Sequence, residues 1–136
     1  MTKISKPATG VLLCGPEDGR RYDMGLLAAR FLADEDETDA GYSISEWILQ
    51  PGQPGVGAHS HDANDEMFFV LSGNPDILTG DDWHTLSPGA FVRIPAGVTH
   101  DFRNRGDSEA RLLNLFIPGG FERDMPKIVD WFRDNG

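Results

Sequence analysis

From Tyr42 to Ile117 the chain is cut by turn residues so often that only short strands fit between them. Tyr42–Leu49 gives way to Pro51-Gly52 and Pro54-Gly55, Glu66–Leu71 to Gly73-Asn74-Pro75, Ile77–Thr79 to Gly80-Asp81-Asp82, and Trp83–Leu86 to Pro88-Gly89. Phe91–Ile94 then runs into Pro95-Ala96-Gly97, His100–Arg103 into Asn104-Arg105-Gly106-Asp107, and Arg111–Ile117 into Pro118-Gly119-Gly120. Strands of this length at this spacing predict an all-β sandwich or barrel. The Leu-rich stretch Met24–Ala33 fits a helix or a strand equally well. The acidic run from Asp34 to Asp39 reads as a solvated loop. Near the C-terminus Met125, Ile128, Val129 and Phe132 fall on one helical stripe, with Asp124 as cap and Pro126 in the first turn. That predicts a helix over about 124–134, packed on the outside of the barrel or on a second subunit.

Within this scaffold three of the four histidines fall into one pattern. His59 and His61 are one residue apart, which on a strand turns both imidazoles to the same face. A polar turn, Asp62-Ala63-Asn64-Asp65, leads to Glu66 at the head of the next strand, with Phe68 and Val70 on its face. His100 follows the Pro95-Ala96-Gly97 corner and shares its face with Phe102. Taken singly, a His-x-His pair is common on surfaces, Glu66 is an ordinary strand-edge charge, and His100 is a buried histidine. Together, His59, His61, Glu66 and His100 are the donor set of one divalent transition metal ion: iron, manganese, nickel, cobalt, copper and zinc all accept it. With six coordination, two positions stay open to water, oxygen or a substrate oxygen. His84 lies outside the pattern and reads as a surface strand residue.

Composition narrows the partners. A net charge of -10 argues against nucleic acid and anionic membranes, which need a basic footprint. Cys14 is the only cysteine, so no intrachain disulfide forms and a reducing compartment is suitable. Met1 to Gly10 lacks the apolar core of a secretory signal, and no apolar run approaches membrane-helix length. The expected location is therefore cytoplasmic, and the length fits one domain over residues 1–136.

The paired motifs resemble the cupin superfamily, whose signatures are G-x5-H-x-H-x3–4-E-x6-G and G-x5-P-x-G-x2-H-x3-N. Gly89, Pro95, Gly97, His100 and Asn104 fit the second throughout. His59, His61, Glu66 and Gly73 fit the first, but Gln53 stands where its opening glycine belongs, Gly52 lying one residue early. Ala90 replaces a frequent Asp, and Asn74-Pro75 interrupts a usually continuous strand. The resemblance implies a double-stranded β-helix, the jelly-roll cupin barrel, with a motif core over about 42–122 and a short C-terminal helix. It also implies metal on His59, His61, Glu66 and His100, and a homodimer, for which edge strands and the C-terminal stripe also speak.

A narrower likeness, carried by Gly41–Trp47, the Pro51-Gly52 corner, Glu66–Gly73 and Arg111–Glu122, is to quercetinase-type single-domain cupins, which open flavonol rings with molecular oxygen at a mononuclear metal. The resulting expectation is a dioxygenase acting on a small enol or hydroxy-ketone, with molecular oxygen as co-substrate. Glu66 would be both ligand and general base, and Trp47, Phe68, Phe102 and Phe121 would line the pocket, although such aromatics also serve plain cores. Two alternatives use the same site: a non-redox isomerase, cyclase or lyase, and a non-catalytic small-molecule-binding barrel.

Overall fold

The computed structural model describes residues 10–135, so the signal-sequence reading, made on residues 1–10, lies outside it but for its last residue. Among the described residues nine strands form two antiparallel sheets. The larger is built from β1 (Arg20–Asp23), β2 (Leu27–Ala33), β3 (Ser43–Leu49), β9 (Ala110–Ile117), β4 (Asp65–Ser72) and β7 (Phe91–Ile94), in that spatial order. The smaller has β5 (Asp76–Thr79) between β6 (Asp82–Thr85) and β8 (His100–Arg103). All seven strands expected between Tyr42 and Ile117 are present within a residue at either end. The jelly-roll barrel expected of the chain is the fold observed.

Alternation decides which face is interior. Trp47 and Leu49 of β3, Leu112, Asn114 and Phe116 of β9, and Glu66, Phe68 and Val70 of β4 point inward and are buried. Their neighbours Phe69 and Leu71 point out and are exposed, as is Phe91 opposite Phe69. The sheets meet where Phe102 of β8 packs on Trp47 and Phe68, with ring centroids 5.7 and 6.0 Å apart. The ambiguous Leu-rich stretch is strand: Leu27, Ala29 and Phe31 line the core of β2. Small alanines at 28 and 29 blur the period of two, since neither contrasts with its neighbours as a polar residue would.

Two sequence expectations need correction. The acidic run is not merely a solvated loop, because Asp34 is buried and Glu35–Thr38 forms a one-turn helix, α1. The Asp34 carboxylate accepts hydrogen bonds from Gly120 N–H and Glu122 N–H. Arg20 clamps Glu122 and Glu37 together at 2.7 and 2.6 Å, and the Tyr22 hydroxyl donates to Glu122. Burial, then this bond, pushes the Tyr22 hydroxyl up to about 12. The run thus anchors the segment that follows β9.

The second correction concerns the C-terminus. Asp124 does not cap the helix, since a 3-10 turn over Phe121–Asp124 runs directly into α2 (Met125–Asn135). The α2 stripe packs against the chain's own core through Met125, Ile128, Val129 and Phe132. Among the described residues no helix is long and apolar enough to cross a membrane.

Asn104 ties the end of β3 to the loop between β8 and β9. Its buried amide donates to Leu49 O and Ser108 O, and its oxygen accepts from Gly106 N–H, all at 2.9 Å. Gln53, in place of the expected glycine, is accommodated in the same turn: it is buried, its side-chain oxygen accepts from Gly55 N–H, and its carbonyl accepts from Asn104 N–H. Replacing Asn104 by alanine leaves buried backbone groups unpartnered. The expected loss is about 2–4 kcal/mol in chemical denaturation, and a loss within experimental error would show that the turn holds without it.

Candidate metal centre

The two histidines of the first motif do not sit on a regular strand. His59 forms an isolated bridge with His100, each backbone N–H donating to the other's carbonyl, and Gly97 N–H donates to His61 O. The segment therefore lies along the free edge of β8, not beside β4 as the alternation argument assumed. The reason is the loop before it. Val56 N–H and Gly57 N–H both bond the Asp101 carboxylate of β8, drawing the loop onto that strand. Gly55 allows the approach: at its φ of +108° a Cβ would meet Phe102 O at 2.6 Å.

Glu66 reaches the histidines from the opposite sheet. The four expected residues converge, with their ligand atoms all within 4.8 Å of one another. His100 Nε2 lies 2.6 Å and His61 Nε2 3.4 Å from Glu66 Oε1. Backbone carbonyls set the tautomers. His59 Nδ1 lies 2.7 Å from Gly57 O and His100 Nδ1 2.9 Å from Val98 O. A carbonyl can only accept, so both Nδ1 atoms carry hydrogen and both Nε2 lone pairs face the centre. Glu66 Oε1, His61 Nε2 and His100 Nε2 are buried with no satisfied hydrogen-bond geometry. Such converging acceptors are what a cation resolves, so the donor set fits a divalent metal by its chemistry and by its orphaned atoms.

Without a cation, protons take that part. Burial pulls the His100 imidazolium down, but the adjacent Glu66 carboxylate outweighs it and the net shift is upward. For His59 burial prevails and the shift is downward. Burial pushes the Glu66 carboxyl up, yet the adjacent His100 and His61 and the Asn114 amide hold it below the usual range.

Above the quartet opens a cavity of about 430 Å³. Trp47, Phe68, Phe102 and Phe121, the four pocket candidates, all line it. Sequence reasoning missed the rest of the wall. Phe116 stacks on Phe121 with centroids 4.3 Å apart, and both rings meet His61 edge-on. Ile128, Trp131 and Phe132 of α2 form the rim, so the C-terminal helix belongs to the cavity and not only to the outside of the barrel. Asn114 was also missed, although a polar residue at the inward position between Leu112 and Phe116 was the available signal. Its amide donates to Glu66 Oε2 at 2.7 Å. His84 is exposed on β6 and bonds Thr79, away from the centre.

This combination of jelly-roll barrel and inward His-His-Glu-His quartet defines a class. The cupin domain family matches residues 45–116, more than half of the chain, and the chain belongs to it. SchB of Streptomyces halstedii is 36% identical over 66 residues, covering 48% of this chain and 47% of that protein. Quercetin 2,3-dioxygenase of Bacillus subtilis is 28% identical over 108 residues, covering 77% of this chain and 31% of that one. The chain thus spans less than half the length of either relative. KdgF from Halomonas sp. superposes with a TM-score of 0.70 at 14% identity, covering 81% of this chain and 97% of that one, which is a likeness of fold alone.

Two outcomes test the centre. Alanine at His59, His61 or His100 should each remove most bound metal by elemental analysis, whereas His84→Ala should leave occupancy unchanged. Loss with His84→Ala and retention with His100→Ala would reverse the assignment. The second outcome concerns pH. A metal must displace the proton that His100 takes up, and the raised value starts that competition above the ~6.5 of a free imidazole. Cobalt(II) affinity should therefore fall on going from about pH 8 to about pH 5, by up to about tenfold per unit for each proton displaced. A flat profile would mean that the histidines are not the donors.

Proposed function

We propose that this chain is a mononuclear metal-dependent dioxygenase acting on a small, neutral, aromatic enol or hydroxy-ketone of flavonol type. The observation that carries the reading is the pairing of the quartet with its wall. Three imidazoles and a carboxylate converge on the floor of a cavity walled by Trp47, Phe68, Phe102, Phe116 and Phe121. None of the described residues lining it is lysine or arginine, and its only carboxylates are Glu66 and Asp124. A phosphate or carboxylate substrate would be desolvated there without a cationic side chain to bind it. A flat neutral ring system, with its one acidic hydroxyl directed at the quartet, meets aromatic side chains from β3, β4, β8 and β9. The similarity to the Bacillus subtilis quercetin 2,3-dioxygenase supports the same class.

A divalent ion held by His59, His61, Glu66 and His100 would supply Lewis acidity, and a redox-active one an electron path to molecular oxygen. The remaining tasks fall to the chain. The aromatic walls orient the substrate and exclude water. Glu66 Oε1 is the basic atom exposed to the centre, since Oε2 is engaged by Asn114. It is the group placed to take the substrate hydroxyl proton.

Oxygen uptake by metal-loaded protein on a panel of flavonols and diketones tests the reading. Uptake should require both metal and substrate, and a sugar phosphate should give none. Turnover under strict anaerobiosis would instead assign the site to a Lewis-acid isomerase or lyase. Glu66→Gln should retain part of the metal, while uptake per bound metal should drop by ~10²–10⁴. An unchanged rate per metal would reduce Glu66 to an anchor.

A further inference from the structure

Behind the quartet a line of buried polar groups runs back to the cavity wall. Trp47 Nε1 lies 2.9 Å from Ser45 Oγ, Ser45 Oγ 3.5 Å from Asn114 Oδ1, and Asn114 Nδ2 2.7 Å from Glu66 Oε2. Ser45, Trp47, Asn114 and Glu66 are all buried and occupy inward positions of β3, β9 and β4. Register makes the line: Ser45 pairs with Asn114, which in turn pairs with Phe68, one inward step along β4 from Glu66. Among core residues that are otherwise mostly apolar, such a chain requires an explanation.

The polarity of every link is forced from its two ends. The Glu66 carboxylate can only accept, so Asn114 must present its NH₂ to it and its oxygen to Ser45. The indole N–H can only donate, so Ser45 accepts from Trp47 and turns its own hydroxyl hydrogen to Asn114. The result is asymmetric. Glu66 Oε2 is engaged by Asn114, while Oε1 faces His100 Nε2 and His61 Nε2 at 2.6 and 3.4 Å.

We infer that Asn114 is a positioning residue that confines Glu66 to one ligating oxygen, Oε1, and that Ser45 and Trp47 extend this control to the cavity wall. The inference rests on the quartet holding a metal. Released from Asn114, the carboxylate is free to rotate and offer both oxygens, which changes coordination number as well as affinity. Trp47 forms part of the wall as well as the end of the line, so displacement of its ring is felt at the ligand carboxylate.

Cobalt(II) alone is the probe, read as a dissociation constant and as the visible ligand-field spectrum, which responds to coordination number. Asn114→Leu keeps the volume and deletes the donor. It should weaken cobalt binding by about 10–100-fold and alter the band intensities. Ser45→Ala and Trp47→Phe should shift the spectrum in the same direction by smaller amounts. Folded Asn114→Leu with wild-type affinity and spectrum would overturn the inference, even with a lower melting temperature, because that is the signature of a purely structural residue. Should Asn114→Leu not fold, the two milder variants decide, and wild-type spectra in both overturn it. A wild-type protein that binds no cobalt would overturn the metal reading itself, an outcome distinct from normal binding that no variant perturbs.

Discussion

A carboxylate buried at the centre of an aromatic barrel is the interaction on which the rest of the structure depends. Leaving an ionised Glu66 dry and unpaired would cost several kcal/mol. Every element around it compensates that charge or holds a group that does. Asn114 comes from β9 beside it, His100 from β8 opposite, and His61 from the segment bridged to β8. None of these groups can be supplied by the strand that carries Glu66. The carboxylate is therefore stable in this position only when the two sheets have closed on each other.

Closure has its own requirements, and they explain residues with no chemistry. The Asp101 carboxylate draws the loop before His59 onto β8, and Gly55 lets it come close. Asn104 fixes the turn at Gly52 and Gln53 against the loop after β8. On the other side of the cavity, Asp34 and the Arg20–Glu122–Glu37 clamp hold the segment that carries Phe121 over the quartet. Partly buried ion pairs of this kind contribute modestly to stability, but they set a position. Phe121 stacks on Phe116 because its backbone is held in place.

The strands and the quartet were legible in the sequence because both depend on short-range spacing. Gly and Pro mark corners directly, and ligand identity survives errors in local geometry. A regular strand would turn His59 and His61 toward Glu66; the structure places them on the edge of β8, and the four donors meet all the same. What was hidden depends on contacts distant in sequence. Asp34 reads as one more acid in a charged run until it is placed against Gly120, 86 residues later. The α2 stripe announces an apolar contact without naming its partner, and that partner is the chain's own cavity. Asn114 was visible as a polar residue among Leu112, Phe116 and other inward apolar positions, but its meaning needs the register of three strands.

The floor and the wall of the cavity are held by different means, and this separates the donor set from the shape of the space above it. The floor donors are fixed by backbone carbonyls, strand register and a buried amide, all internal to the barrel. Changing one ligand unbalances the charge of the others, so the floor tolerates little variation. Part of the wall comes instead from Phe121, Ile128, Trp131 and Phe132, on a segment held by the Asp34 and Arg20 contacts and by the apolar stripe of α2. Substitutions there change the shape of the cavity without uncovering a charge. Trp47 is the exception, because it belongs to the wall and also ends the polar line to Glu66. A change at that position reaches both functions, which makes it the point where substrate shape and ligand geometry are coupled.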